Sequence, residues 1–126
     1  MSKGRMERAP SAARQSPRSS PAPEFIAQRI ARLRDALHQA KAPALLVTSF
    51  ADVSWLTGFE GDDSHAIITP EKLLLISDHR YEEQIAREAP WAATVMRKKS
   101  IWHETAKQLK RLKLKKIAVQ SESLTL

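Results

Sequence analysis

Five polar side chains crowd into two short stretches of this 126-residue chain: Asp62, Asp63 and His65 in one, Asp78 and His79 in the other. Carboxylates and imidazoles can hold a divalent cation, but only where three or four of them converge on one point. The first stretch opens a strand-like run over 65–69 and the second closes a run over 73–77, so an antiparallel hairpin would set them side by side. A plainer reading competes and is preferred: Asp78 caps a helix, and the loop acids are solvated. Asp63, Ser64 and His65 have the residue types of a nucleophile triad, yet neighbours on a strand point to opposite faces and cannot line up. Glycine occurs only at positions 4, 58 and 61, which excludes the Gly-rich phosphate loops. The absence of cysteine excludes disulfides and thiolate metal sites.

Four aromatic side chains, Trp55, Phe59, Trp91 and Trp102, are the large apolar anchors. Trp102 recurs with Ala106, Leu109 and Leu112 at helical spacing and is expected in the core. Trp55 and Phe59 fall in a connection that also holds glycine and aspartate, which leaves both packing and a surface role open. Arg97, Lys98 and Lys99, and then Lys107, Lys110, Arg111, Lys113, Lys115 and Lys116, carry no interleaved stacking aromatics. They read as a solvated basic face, with binding of nucleic acid or another polyanion as the alternative.

The elements that must position these residues begin late. The formal charge of +7 is uneven. Residues 1–23 hold Lys3, Arg5, Arg8, Arg14 and Arg18 against Glu7 alone, with Pro10, Pro17, Pro21 and Pro23 and no aromatic or branched aliphatic residue. Such a segment buries too little apolar surface to offset its conformational entropy, and a disordered basic tail is expected. From Glu24 the pattern becomes periodic. Phe25, Ile26, Ile30, Leu33 and Leu37 predict a helix, which Pro43 should end. Residues 44–48 read as a buried strand, Ala51 to Leu56 as a helical turn, and 65–69 and 73–77 as a hairpin closed at Thr69-Pro70-Glu71-Lys72. Ser77 or Asp78 should cap a helix ending before Pro90. A strand over 92–96, a helix from Ser100 or Ile101, and a strand over 117–120 complete the series. The layout is one mixed α/β domain over 24–126, a partly antiparallel sheet covered by helices. No apolar run approaches the roughly 20 residues that span a bilayer, so a soluble cytoplasmic protein is expected.

Three stretches together resemble the N-terminal domain of the creatinase and Xaa-Pro aminopeptidase (prolidase-like) metallopeptidase family. Residues 29–41 followed by Ala44-Leu-Leu-Val-Thr-Ser are similar to that family's opening helix and strand. Asp52-Val-Ser-Trp-Leu-Thr-Gly-Phe-Glu-Gly-Asp-Asp-Ser is similar to its segment centred on Tyr-Leu-Thr-Gly-Phe. Leu73-Leu-Leu-Ile-Ser-Asp-His-Arg-Tyr resembles its strand ending in Asp-Gly-Arg-Tyr. Trp55 stands where the family usually has Tyr, and His79 stands where it usually has Gly, so the backbone at His79 should suit an L-residue.

The resemblance implies a three-layer, ribonuclease H-like α/β fold. It also implies a separate catalytic domain, absent from this chain, in which two Asp, one His and two Glu hold two divalent metal ions. The chain is therefore expected to be C-terminally incomplete, to contain no metal or catalytic residues of its own, and not to catalyse alone. Its implied role is that of an accessory domain whose face, with Trp55, Phe59, Asp78 and Arg80, shapes a substrate cleft or a subunit contact. The implied partner is a second copy or a separate catalytic chain, with neither membrane nor nucleic acid expected.

Overall fold

The computed structural model describes residues 21–114 and 117–119. The expected disordered tail therefore lies outside the described residues, apart from 21–23. Helix α1 (Glu24–Ala40) starts with Glu24 at its positive end and buries Ile26, Ile30 and Leu37 along one stripe. It does not wait for Pro43 to stop it. Lys41 turns left-handed at φ 56°, its N–H donates to the His38 carbonyl at 3.1 Å and the Ala42 N–H to the Leu37 carbonyl at 2.9 Å. This is a Schellman-type end, and Pro43 two residues on only prevents the helix from resuming.

The remaining elements are β1 (Leu45–Val47), α2 (Phe50–Thr57), β2 (His65–Ile68), β3 (Leu73–Ser77), a 3₁₀ turn (His79–Tyr81), α3 (Glu82–Glu88), β4 (Ala93–Met96), α4 (Ile101–Arg111) and β5 (Ala118–Val119). The strands form one sheet in the order β4-β3-β2-β1-β5. The central strand β2 is antiparallel to both its neighbours, β1 and β3, while β4 and β5 add in parallel at the two sides. The β2–β3 hairpin is closed by the Thr69 N–H donating to the Lys72 carbonyl at 2.9 Å, and the Thr69 hydroxyl accepts from the Lys72 N–H at 2.9 Å.

The strands read as unbroken apolar runs because both sheet faces are covered. On one face Leu45, Val47, Ala66, Ile68, Leu73 and Leu75 meet Ile26, Ile30, Val53, Leu56 and Ile85 from α1, α2 and α3. On the other, Leu46, Ile67, Leu74, Ile76 and Val95 meet Ile101, Leu109 and Leu112 of and after α4. Helices thus flank the sheet on both sides, giving three layers.

Helix α4 departs from expectation. Trp102 is 59% exposed and Ala106 also faces outward, while Glu104, Thr105 and Gln108 are buried. The helix is turned by about one residue from the apolar stripe. The buried polar groups are satisfied: Gln108 Nε2 donates to Glu104 Oε2 at 2.7 Å, and Thr105 Oγ1 lies 2.8 Å from His65 Nδ1. Pairing of this kind removes the desolvation cost that hydropathy alone assigns to these positions.

Candidate functional site

One end of the sheet gathers most of the polar side chains singled out above. Val47 of β1 pairs with Ala66 near the start of β2, His65 with Ile76, and Ser77 with Met96. The segments leaving β1, β3 and β4, and the loop entering β2, therefore share one rim. Open α/β sheets place their ligands at such carboxyl ends.

The loop that enters β2 is built around two glycines. Gly58 ends α2 in the left-handed region at φ 84°; a Cβ there would meet Ile26 Cδ1 at 3.2 Å and the Glu88 carbonyl at 3.4 Å. At Gly61 a Cβ would sit 2.2 Å from Phe59 Cζ. Phe59 itself is fully buried and meets Tyr81 edge to face at 5.5 Å. The ring is thus a floor beneath the rim, with no side-chain surface on it.

Arg97, the residue after β4, joins the two acidic stretches. Its Nη2 lies 2.6 Å from Asp63 Oδ2 and 2.9 Å from Asp78 Oδ2. Its Nε donates to Asp63 at 3.1 Å, and its Nη1 donates to the Lys99 carbonyl at 2.7 Å. Asp78 caps the 3₁₀ turn, accepting from the Arg80 N–H at 3.0 Å. That bond, foremost, holds the Asp78 carboxyl below its usual range, and the nearby Arg97 and Arg80 charges act in the same direction. Arg80 is 61% exposed, 3.8 Å from Asp78 and 3.9 Å from Asp63, with its guanidinium over the Tyr81 ring at 5.0 Å. The Tyr81 hydroxyl donates to Asp62 Oδ1 at 2.5 Å, and this hydrogen bond is the first cause of its raised pKa. The backbone at His79 does suit an L-residue: among the described residues the positive-φ non-glycine positions are Lys41, Asp63 and Lys113.

The structure thus brings Asp62, Asp63, Asp78, Arg80 and Tyr81 together and adds Arg97, which is not part of a solvated basic face as expected but a partly buried cation paired with two acids. His79 instead lies 3.6 Å from Glu82. His65 turns to the other side of the sheet, stacked edge to face on Trp102 at 4.5 Å. Because Thr105 Oγ1 donates to the Ile101 carbonyl, His65 Nδ1 must be the donor between them. Burial pushes the His65 pKa down, and the Asp63 charge opposes this. Trp55 is held on the α1–α2 seam, where Arg29 donates to its carbonyl at 2.6 Å and stacks over its ring at 4.5 Å.

A divalent ion does not fit the acidic cluster. Asp63 and Asp78 already face two guanidinium groups within 4 Å, whose charge would repel a cation. Among the described residues, no group of three or more His, Asp or Glu side chains has the arrangement to hold a metal. No helix among them is long and apolar enough to cross a membrane.

Comparison with known proteins gives a consistent result. The model of the creatinase/prolidase N-terminal domain matches residues 29–126. An uncharacterised peptidase, YqhT of Bacillus subtilis, is 27% identical over 97 residues, which is 77% of this chain and 28% of the relative. The Xaa-Pro dipeptidase from Bacillus anthracis superposes with a TM-score of 0.70 at 26% identity, covering 79% of this chain and 29% of that one. The N-terminal, creatinase/prolidase-like domain of a metallopeptidase from Corynebacterium diphtheriae superposes at a TM-score of 0.61 and 20% identity. That match covers 80% of this chain and 98% of the other, and shows the shared fold. The chain spans well under a third of the length of the YqhT and dipeptidase relatives.

Proposed function

This chain belongs to the family of creatinase/prolidase N-terminal domains, and on that basis we propose that it is a non-catalytic accessory domain of an Xaa-Pro-specific metallopeptidase. Its rim forms one wall of a substrate cleft whose metal ions and hydrolytic water are held by residues of a catalytic domain. The observation that carries this reading is the rim itself. Exposed Arg80 rises from a turn fixed by Asp78, beside a loop shaped by Gly58 and Gly61. Arg80 supplies a cation to the wall, Tyr81 an amphipathic ring, and Phe59 the floor that fixes their height. Trp55, on the α1–α2 seam, belongs with the contact to a catalytic domain or a second copy. The polyanion-binding alternative has no support from the relatives, and Lys107, Lys110 and Arg111 are simply exposed on α4.

The test is a chimera in which residues 24–126 replace the matching segment of the Bacillus anthracis dipeptidase. The chimera should cleave an Xaa-Pro dipeptide in a metal-dependent way, while the 126-residue chain alone should not. Arg80→Gln should raise KM in the chimera. Metal-dependent cleavage by the purified chain alone would overturn the accessory role, and an unchanged KM in Arg80→Gln would overturn the cleft wall.

A further inference from the structure

Asp63 adopts a left-handed backbone conformation, one that aspartate tolerates better than most residues but that still carries a cost. Its φ is 55°, a left-handed value that costs an L-residue free energy and persists only where the surroundings fix it. Its carboxylate is held there by Arg97, through both Nε and Nη2. We propose that Arg97 is the positioning residue of the rim, acting through Asp63 and Asp78 to aim Arg80 and Tyr81. Its significance for a substrate rests on the cleft reading given above; its action on the rim does not.

The contacts close a ring. Arg97 has its own backbone N–H bonded to the Ser77 carbonyl at 2.7 Å, so its Cα is anchored to the end of β3. From that anchor one guanidinium reaches Asp63 Oδ2 through both Nε and Nη2 and Asp78 Oδ2 through Nη2. Asp78 carries the turn that presents Arg80, and Tyr81 returns to Asp62, next to Asp63. Loop, turn and the end of β4 are thereby tied at one cation. Arg97 is 24% exposed and its two carboxylates 30% and 25%. Partial burial of all three makes this more than a screened surface pair, and a planar guanidinium holds both acids in a fixed fork geometry that a flexible ammonium does not impose. Arg80, at 3.8 and 3.9 Å from the same acids, is left the looser cation that faces outward.

The experiment compares Arg97→Gln and Arg97→Lys with the parent 126-residue chain by NMR. In Arg97→Gln the backbone carbon shifts of residues 62–64 should move toward random-coil values. The Arg80 and Tyr81 amides should exchange roughly tenfold faster, as the loss of a charge-assisted bond implies. Amides of the β2–β3 ladder should stay within about twofold, since the ladder bonds are untouched. Arg97→Lys should restore protection in part. In the Arg97→Gln background, Asp63→Gly should cause no further loss, because the left-handed conformation then no longer strains the chain. Unchanged shifts at 62–64, or equal loosening across the whole sheet, would overturn the proposal. Failure of the chimera to cleave, with the rim loosened in Arg97→Gln, would remove the cleft reading and leave the positioning role standing.

Discussion

Replacing Gly58 with alanine separates backbone strain from crowding in the segment that precedes the rim. At φ 84° an L-residue carries a left-handed penalty of about 1–2 kcal/mol. The new methyl would meet Ile26 Cδ1 at 3.2 Å, a flexible side-chain end that can yield, and the Glu88 carbonyl and Trp91 Cζ2 at 3.4 and 3.5 Å, which are ordinary contacts. Against this, alanine narrows the unfolded ensemble and returns about 0.4–1 kcal/mol. The net loss is then about 1 kcal/mol, or roughly 4–8 °C in Tm for a domain of this size. Differential scanning calorimetry of the variant measures it. Adding Ile26→Val distinguishes the causes: relief of a methyl contact would recover Tm, whereas φ strain would leave the loss in place beyond the cost of the deleted methyl. An unchanged or higher Tm in Gly58→Ala would refute the strain account. Gly61→Ala is the contrasting case. There the backbone is permissive and the obstacle is the Phe59 ring at 2.2 Å, so overpacking of about 1–3 kcal/mol is expected.

Other expectations follow from burial and charge. Trp102→Ala should cost about 0.5–1.5 kcal/mol for the edge-to-face contact with buried His65, plus a small burial term for its half-exposed ring, whereas Leu75→Ala in the core should cost about 2–5 kcal/mol; urea denaturation compares them, and a larger loss at Trp102 than at Leu75 would contradict its exposure. His65 has a folded-state pKa below the ordinary 6.5, so the unfolded chain binds more protons as pH falls below that value. Stability should therefore drop between pH 7 and pH 5, and His65→Asn should flatten the drop; an identical slope in the variant would contradict the buried neutral imidazole. Chelation with EDTA, or addition of millimolar Mn²⁺, should leave the Tm of the chain unchanged, because the two rim acids are committed to arginines; a metal-dependent rise would contradict that pairing.

How much of this was legible in the sequence differs from residue to residue. The hairpin was, because Thr69-Pro70-Glu71-Lys72 carries its own turn chemistry between two apolar runs. The end of α1 was misplaced, because Lys41 in a left-handed conformation has no residue-type signal, whereas Pro43 does. The phase of α4 was misread, because Glu104 and Gln108 satisfy each other, a pairwise fact invisible to a hydropathy stripe. Asp78 was legible as a cap. Arg97 was not: its partnership with Asp78 depends on β4 lying parallel beside β3, and its partnership with Asp63 on a loop conformation set by neither strand.

The sheet order also has a consequence for biogenesis. β1 pairs on one side with β2, soon after it in the chain, and on the other with β5, the last strand described. Until Ala118 leaves the ribosome and its N–H reaches the Ala44 carbonyl, the outer side of β1 is a row of unpaired amides beside an already assembled hairpin. For that interval the nascent chain exposes an open strand edge, the kind of surface that recruits a neighbouring chain. The two residues of β5 close it. Pairing with β5 thus protects that side of β1, and translation that pauses just before Ala118 leaves it exposed to misassembly.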